Sequence, residues 1–181
     1  ALPVTFPNSG IGQQLAEVAQ IIAVQGTLGL NRQIFFAGLG GFDNHEDLVA
    51  KHQDLMAALD AALAAFVATL SARGSLGNVT VFTESEFNRT GNANANIGTD
   101  HAWGGHHLVL GGAVRGGTYG QFPIHLLNGP DDAGDRGSWI PTTSLDQYAA
   151  TLGGWFGVAD SELHTIFPNL HTFSPTRLGF V

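Results

Sequence analysis

The sequence predicts an α/β fold, a layered α/β/α sheet formed by a single domain or part of one. Three observations carry this. Helical stripes alternate along the chain with short apolar runs, glycine clusters follow the apolar runs, and nothing repeats internally. The chain has 181 residues, of which 44% are hydrophobic and 12% charged, enough apolar surface for a core.

The elements follow in order. Ser9 is placed to cap a helix whose Ile11, Leu15, Val18 and Ile22 share one face. Gln33–Ala37 (QIFFA) is continuously apolar and runs into Gly38, Gly40 and Gly41, the pattern of a strand buried on both faces. Glu46 to about Ser71 is rich in Ala and Leu and predicts a long helix with Leu48, Leu55, Leu59, Ala62, Phe66 and Leu70 inward. Asn78–Thr83 (NVTVFT) reads as the next strand and His107–Val114 as a further one. Gly129–Ser138 (GPDDAGDRGS) reads as an acidic surface loop. Thr143 or Ser144 is expected to cap a helix reaching Trp155, and Asp160 or Ser161 to start a short last one.

Charge and composition exclude several partners. The net charge is −8 and the seven Lys and Arg are scattered, so no basic patch is present to displace nucleic-acid counterions. No uninterrupted apolar run reaches the roughly 20 residues of a membrane span, so none is expected. Without cysteine, thiolate metal sites and disulfides are excluded.

Three polar loops carry the chemistry. Asp43 and His45 follow the first apolar run, in GGFDNHE. Glu84, Glu86 and Arg89 follow the second, in TESEFNR. Asp100, His101, Trp103, His106 and His107 crowd into GTDHAWGGHH. Ligand sites of open α/β sheets form where loops meet at the carboxyl ends of strands. Carboxylate oxygen together with imidazole nitrogen suits zinc, manganese or iron, while calcium prefers oxygen throughout. Each loop also has a plain reading. Asp43 beside Asn and Gly is a turn signature, the Glu84–Glu86 segment suits a solvated strand end, and His106 and His107 would face opposite ways on a strand.

GGFDNH, LDAALAAF, VTVFTESEFNRT, TDHAWGGHHLVLGGAVRGG and PTTSLDQYAATLGGWFGV together resemble the carboxyl-terminal half of a bacterial family, domain of unknown function 1501. The likeness runs from about Gly40 to Phe173, after a lead-in of residues 1–39, and extends to the alkaline phosphatase–sulfatase superfamily. That resemblance implies an exported or periplasmic protein and a two-metal hydrolase of phosphate or sulfate esters. Its substrate would be a small anionic ester or a sulfated or phosphorylated glycan. Asp43 and His45 match one metal's ligands. For the rest two alignments compete: Asp100 and His101 with His106 as the later ligand, or Glu86 with His101 as the later histidine. Arg89 and Glu84 are the catalytic candidates, Arg89 for its bidentate fit to a non-bridging oxygen. Trp103 and His107 are the substrate-facing ones. The superfamily's nucleophilic Ser or Thr has no match ahead of Gly40, where Thr5, Ser9 and Thr27 are the hydroxyls. The implied partner is therefore an amino-terminal half of the same protein. The alternative is a non-catalytic metal- or glycan-binding protein.

Overall fold

The computed structural model describes residues Ala1–Val181, and its chain divides into two compact units. The first comprises residues 1–81 and 93–100, the second 82–92 and 101–181.

The first unit is helical. Helix α1 (Gly10–Ala23) starts at Ser9, whose Oγ accepts the Gly12 N–H at 3.2 Å. The single-turn α2 (Gln25–Leu28) ends on Gly29 in the left-handed region. Helix α3 (Leu48–Ala72) packs on α1. Ile11, Leu15 and Ala19 of α1 meet Ala62, Phe66 and Leu70 of α3 in one buried cluster, with Val18, Ile22 and Leu59 at its margin. Phe66 is 2% exposed, and burying a side chain of that size contributes on the order of 2–3 kcal/mol. Both helical stripes thus lie where the 3.6-residue period places them, although Leu48 and Leu55 are only half-buried.

By length and composition α3 is apolar enough to cross a membrane, with 28% of its most apolar window buried. Asp54 and Asp60 interrupt its apolar residues, so α3 holds no unbroken apolar run of membrane length. Ala and Leu favour a core helix and a spanning helix alike, so α3 meets the criteria of both.

Strands are shorter than the sequence predicts, one predicted strand is absent and two short unpredicted ones are present. β1 (Thr80–Phe82) occupies only the end of Asn78–Thr83, because Leu76–Asn78 forms a 3-10 turn. β2 (Asn88–Arg89) pairs antiparallel with β3 (His101–Ala102), setting Arg89 opposite His101. β4 (Val109–Gly111) is the core of the longer His107–Val114 expectation. Where the chain leaves β1 in the second unit, Thr83 N–H donates to the Leu108 carbonyl, and Leu108 N–H to Thr83 Oγ1. Gln33–Ala37 forms no strand at all, and Phe36 within it is 93% exposed. Apolar character signals a demand for burial, but a ladder also needs a partner, and this segment has none. The chain is α/β in general, as expected, with mixed helices and small two-stranded sheets.

The second unit closes with α4 (Leu145–Phe156) and α5 (Asp160–Ile166). Ser144 and Gln147 form a reciprocal capping box at the start of α4, and Gly157 ends it in the left-handed region. Tyr148 and Leu152 pack with Phe180. The acidic loop is organised from within: Asp132 accepts backbone N–H groups of Asn128, Gly134, Gly137 and Ser138 at 2.9–3.2 Å.

Candidate metal centre

In the first unit, the loop before α3 and the segment 93–100 form a clasp. Thr99 N–H donates to the Asn44 carbonyl, Asp47 N–H to Asn96 and Leu48 N–H to Ile97, while Glu46 and Ile97 form an isolated antiparallel bridge. Gly98 is required here by contact: a Cβ on it would lie 2.0 Å from the carbonyl carbon of His45. Two non-glycine residues of the clasp, Asp47 (φ 49°) and Ile97 (φ 59°), sit in the left-handed region. For β-branched Ile97 this conformation costs on the order of 1–3 kcal/mol. Such strain persists where the surroundings hold it, and here backbone hydrogen bonds do so on both sides.

The clasp brings Asp43, His45 and Asp100 together. His45 Nε2 lies 2.9 Å from Asp43 Oδ1, and His45 Nδ1 lies 3.2 Å from Asp100 Oδ1. Asn94 fixes the arrangement: its Nδ2 donates to the His45 carbonyl at 3.0 Å and to Asp100 Oδ1 at 3.1 Å. Its Oδ1 accepts the N–H groups of Asn96 and Gly98. Ionised carboxylates only accept, so a neutral imidazole satisfies just one of these two contacts. Between Asp43 and His45 in sequence, Asn44 is 6% exposed and its Nδ2 has no hydrogen-bond partner. An orphaned buried donor of that kind costs about 1–3 kcal/mol. The three side chains themselves are open to solvent, Asp43 and His45 by about half.

The remaining expected residues lie in the second unit. His101 opens β3 with its ring stacked on Phe87 at 4.0 Å. Arg89 on β2 holds its guanidinium 5.8 Å from the centre of that same Phe87 ring. His106 stacks on Phe122 at 4.7 Å and His107 on Tyr148 at 5.6 Å. Glu84 and Glu86 are exposed in the turn after β1, and Trp103 is 64% exposed. Burial raises the Tyr148 phenol above its usual range and the negative charge of Glu84 raises it further; the phenol O–H donates to the Thr83 carbonyl at 3.2 Å. Trp155, which the helix reaches as expected, is half-buried and lines a pocket with Thr151 and Arg177.

Asn94 and Gly98, which position His45 and Asp100, are not among the residues the sequence singles out. The available signal is the run Asn92–Gly98 (NANANIG), whose asparagines and terminal glycine are turn formers able to hydrogen-bond their own backbone. Ser9, one of the hydroxyls ahead of Gly40, is engaged as the α1 cap.

No curated protein and no solved structure matches this chain. A family profile does, over residues 7–129, which include Asp43, His45, Asp100 and the segment carrying β2 and β3. The chain belongs to the family described as protein of unknown function (DUF1501).

Proposed function

We propose that this protein is a metal-dependent hydrolase of phosphate or sulfate esters, with Asp43 and His45 as ligands of a divalent ion and Asp100 as the carboxylate that holds the His45 ring by its other nitrogen. One observation carries the reading: an imidazole whose two nitrogens both face carboxylate oxygens, at 2.9 and 3.2 Å. The donor set fits zinc, manganese or iron. An ion held there supplies Lewis acidity toward an ester oxygen. Asn94 orients Asp100 and the His45 backbone, the outer-shell role that keeps such ligands in place. His101, joined to Asp100 by one peptide bond, is the next ligand candidate, and Glu86 and His106 stay in the set that the family resemblance implies. Arg89 has the planar donors suited to a non-bridging ester oxygen. An amino-terminal half of the same protein, in an exported or periplasmic setting, is the partner from which the nucleophile would come.

The exposure of Asp43 and His45 supports a second reading, a non-catalytic metal- or glycan-binding protein, because hydrolytic sites are normally enclosed. Assays with aryl phosphate and aryl sulfate esters, with zinc or manganese added, separate the two. Metal-dependent turnover that Arg89→Ala weakens supports the hydrolase. Metal binding without turnover in the full-length protein supports the second reading.

A further inference from the structure

In the second unit, the short ribbon of β2 and β3 gathers a ring, an imidazole and a guanidinium on one side. Arg89 and His101 are direct cross-strand partners, so their side chains leave the ribbon on the same face. Phe87 stands two residues before Arg89, at the entry to β2, and the two-residue period of a strand turns it to that face as well. The Ser85 hydroxyl donates to the Phe87 carbonyl at 3.0 Å and so fixes the approach to the strand. The half-buried Phe87 ring is used twice. The His101 imidazole stacks on it with the centroids 4.0 Å apart and the planes 24° from parallel. The Arg89 guanidinium carbon lies 5.8 Å from the same centroid, inside the range over which an aromatic face attracts a cation.

We propose that Phe87 is a positioning residue, whose ring sets the Arg89 guanidinium and the His101 imidazole side by side as one preset pair. Its use rests on the reading of Arg89 as the group that grips a non-bridging ester oxygen, so the ligand class is a tetrahedral oxyanion, phosphate or sulfate. A guanidinium on a flexible stem loses rotamer freedom when it binds, and a ring that already holds it removes part of that cost. Stacking engages only the face of the imidazole. Both His101 nitrogens therefore stay at the ring's edge, in the plane where a hydrogen bond or a metal bond forms. A leucine in the same place would fill similar space, but it offers no quadrupole to the cation and no flat surface to the imidazole.

Magnetic resonance reads the platform without any ligand. A proton held over an aromatic face resonates upfield, so the carbon-bound ring protons of His101 and the δ protons of Arg89 should both be displaced upfield in the parent protein. Phe87→Leu should return both to ordinary positions, and Phe87→Tyr, which keeps the ring, should retain them, with matching circular dichroism spectra for the two variants. Inorganic phosphate, titrated without metal, should bind Phe87→Leu about two- to fivefold more weakly than the parent, and Phe87→Tyr as the parent does. Signals already at ordinary positions in the parent, or unmoved in Phe87→Leu, overturn the proposal. So does phosphate binding that Phe87→Leu leaves undiminished. Upfield signals that Phe87→Leu abolishes, in a parent that binds no phosphate, uphold the positioning by Phe87 and sink instead the ester reading of Arg89.

Discussion

His45 of the first unit and three histidines of the second sit in opposite surroundings. In the first unit His45 lies edge-on between two carboxylates, with both nitrogens facing oxygen. In the second unit His106, His107 and His125 lie flat on Phe122, Tyr148 and Trp139, with their ring faces in use. A nitrogen aimed at anionic oxygen is set for protons or cations, whereas a stacked face contributes packing. The density of histidine in a sequence does not distinguish these uses; the neighbours of each ring do.

This contrast can be broken by substitution. The largest effect is expected at His45. His45→Ala should lower divalent-metal affinity roughly 100-fold or more, while Asn94→Ala, which removes an orienting group, should cost about 10- to 100-fold. Calorimetric titration with zinc or manganese reads both. His107→Ala, by contrast, should leave metal affinity unchanged and destabilise the fold by about 1 kcal/mol through lost stacking. Equal effects of His45→Ala and His107→Ala on affinity would erase the difference between the two histidines.

Gly98→Ala comes next. The new methyl must displace the His45 backbone, and overpacking of this kind costs about 1–3 kcal/mol in denaturant unfolding. Metal affinity should fall along with stability, since the same backbone carries the ligand. A Gly98→Ala variant with both quantities unchanged would mean that the clasp does not hold His45 in place.

The smaller effects are electrostatic. Burial and then Glu84 hold the Tyr148 phenol above its usual range, so Glu84→Gln should bring phenolate absorbance in at lower pH than in the parent protein. The folded-state value exceeds the unfolded one, so this contribution is complete below the unfolded pKa and is lost as the pH rises through the folded value. Asp132 runs the other way. Burial pushes its carboxyl up, but the backbone N–H bonds of Gly137, Asn128, Gly134 and Ser138 together outweigh that and lower it. Its contribution is present above the unfolded pKa and lost as the pH falls through the folded one. Protection of the Gly134, Gly137 and Ser138 amides, taken relative to the intrinsic exchange rate at each pH, should therefore fall on acidification, and Asp132→Asn should show the lower protection already at neutral pH.

Helices are the most legible part of the sequence because their signals are local. Ser9 and Ser144 cap where hydroxyls are expected, and the stripes of α1 and α3 need only a 3.6-residue period. Strands are harder to read because a ladder is a long-range property. QIFFA carries all the apolar character of a buried strand and lacks a neighbour to bond. In the site, Asp43, His45 and Asp100 stand out as ligand types in glycine-bounded loops. What holds them does not, because Asn94 acts through bonds to residues four, six and forty-nine positions away. The left-handed backbone at Ile97 leaves no trace in residue type, since that side chain ordinarily disfavours it.

The most direct test is equilibrium dialysis of the unmodified protein and of His45→Ala against zinc and manganese, followed by elemental analysis. The parent should retain a stoichiometric divalent ion that the variant loses, with both folds intact by circular dichroism. Retention of the same metal by both proteins, or by neither, would contradict a cation site built on His45 and its two carboxylates.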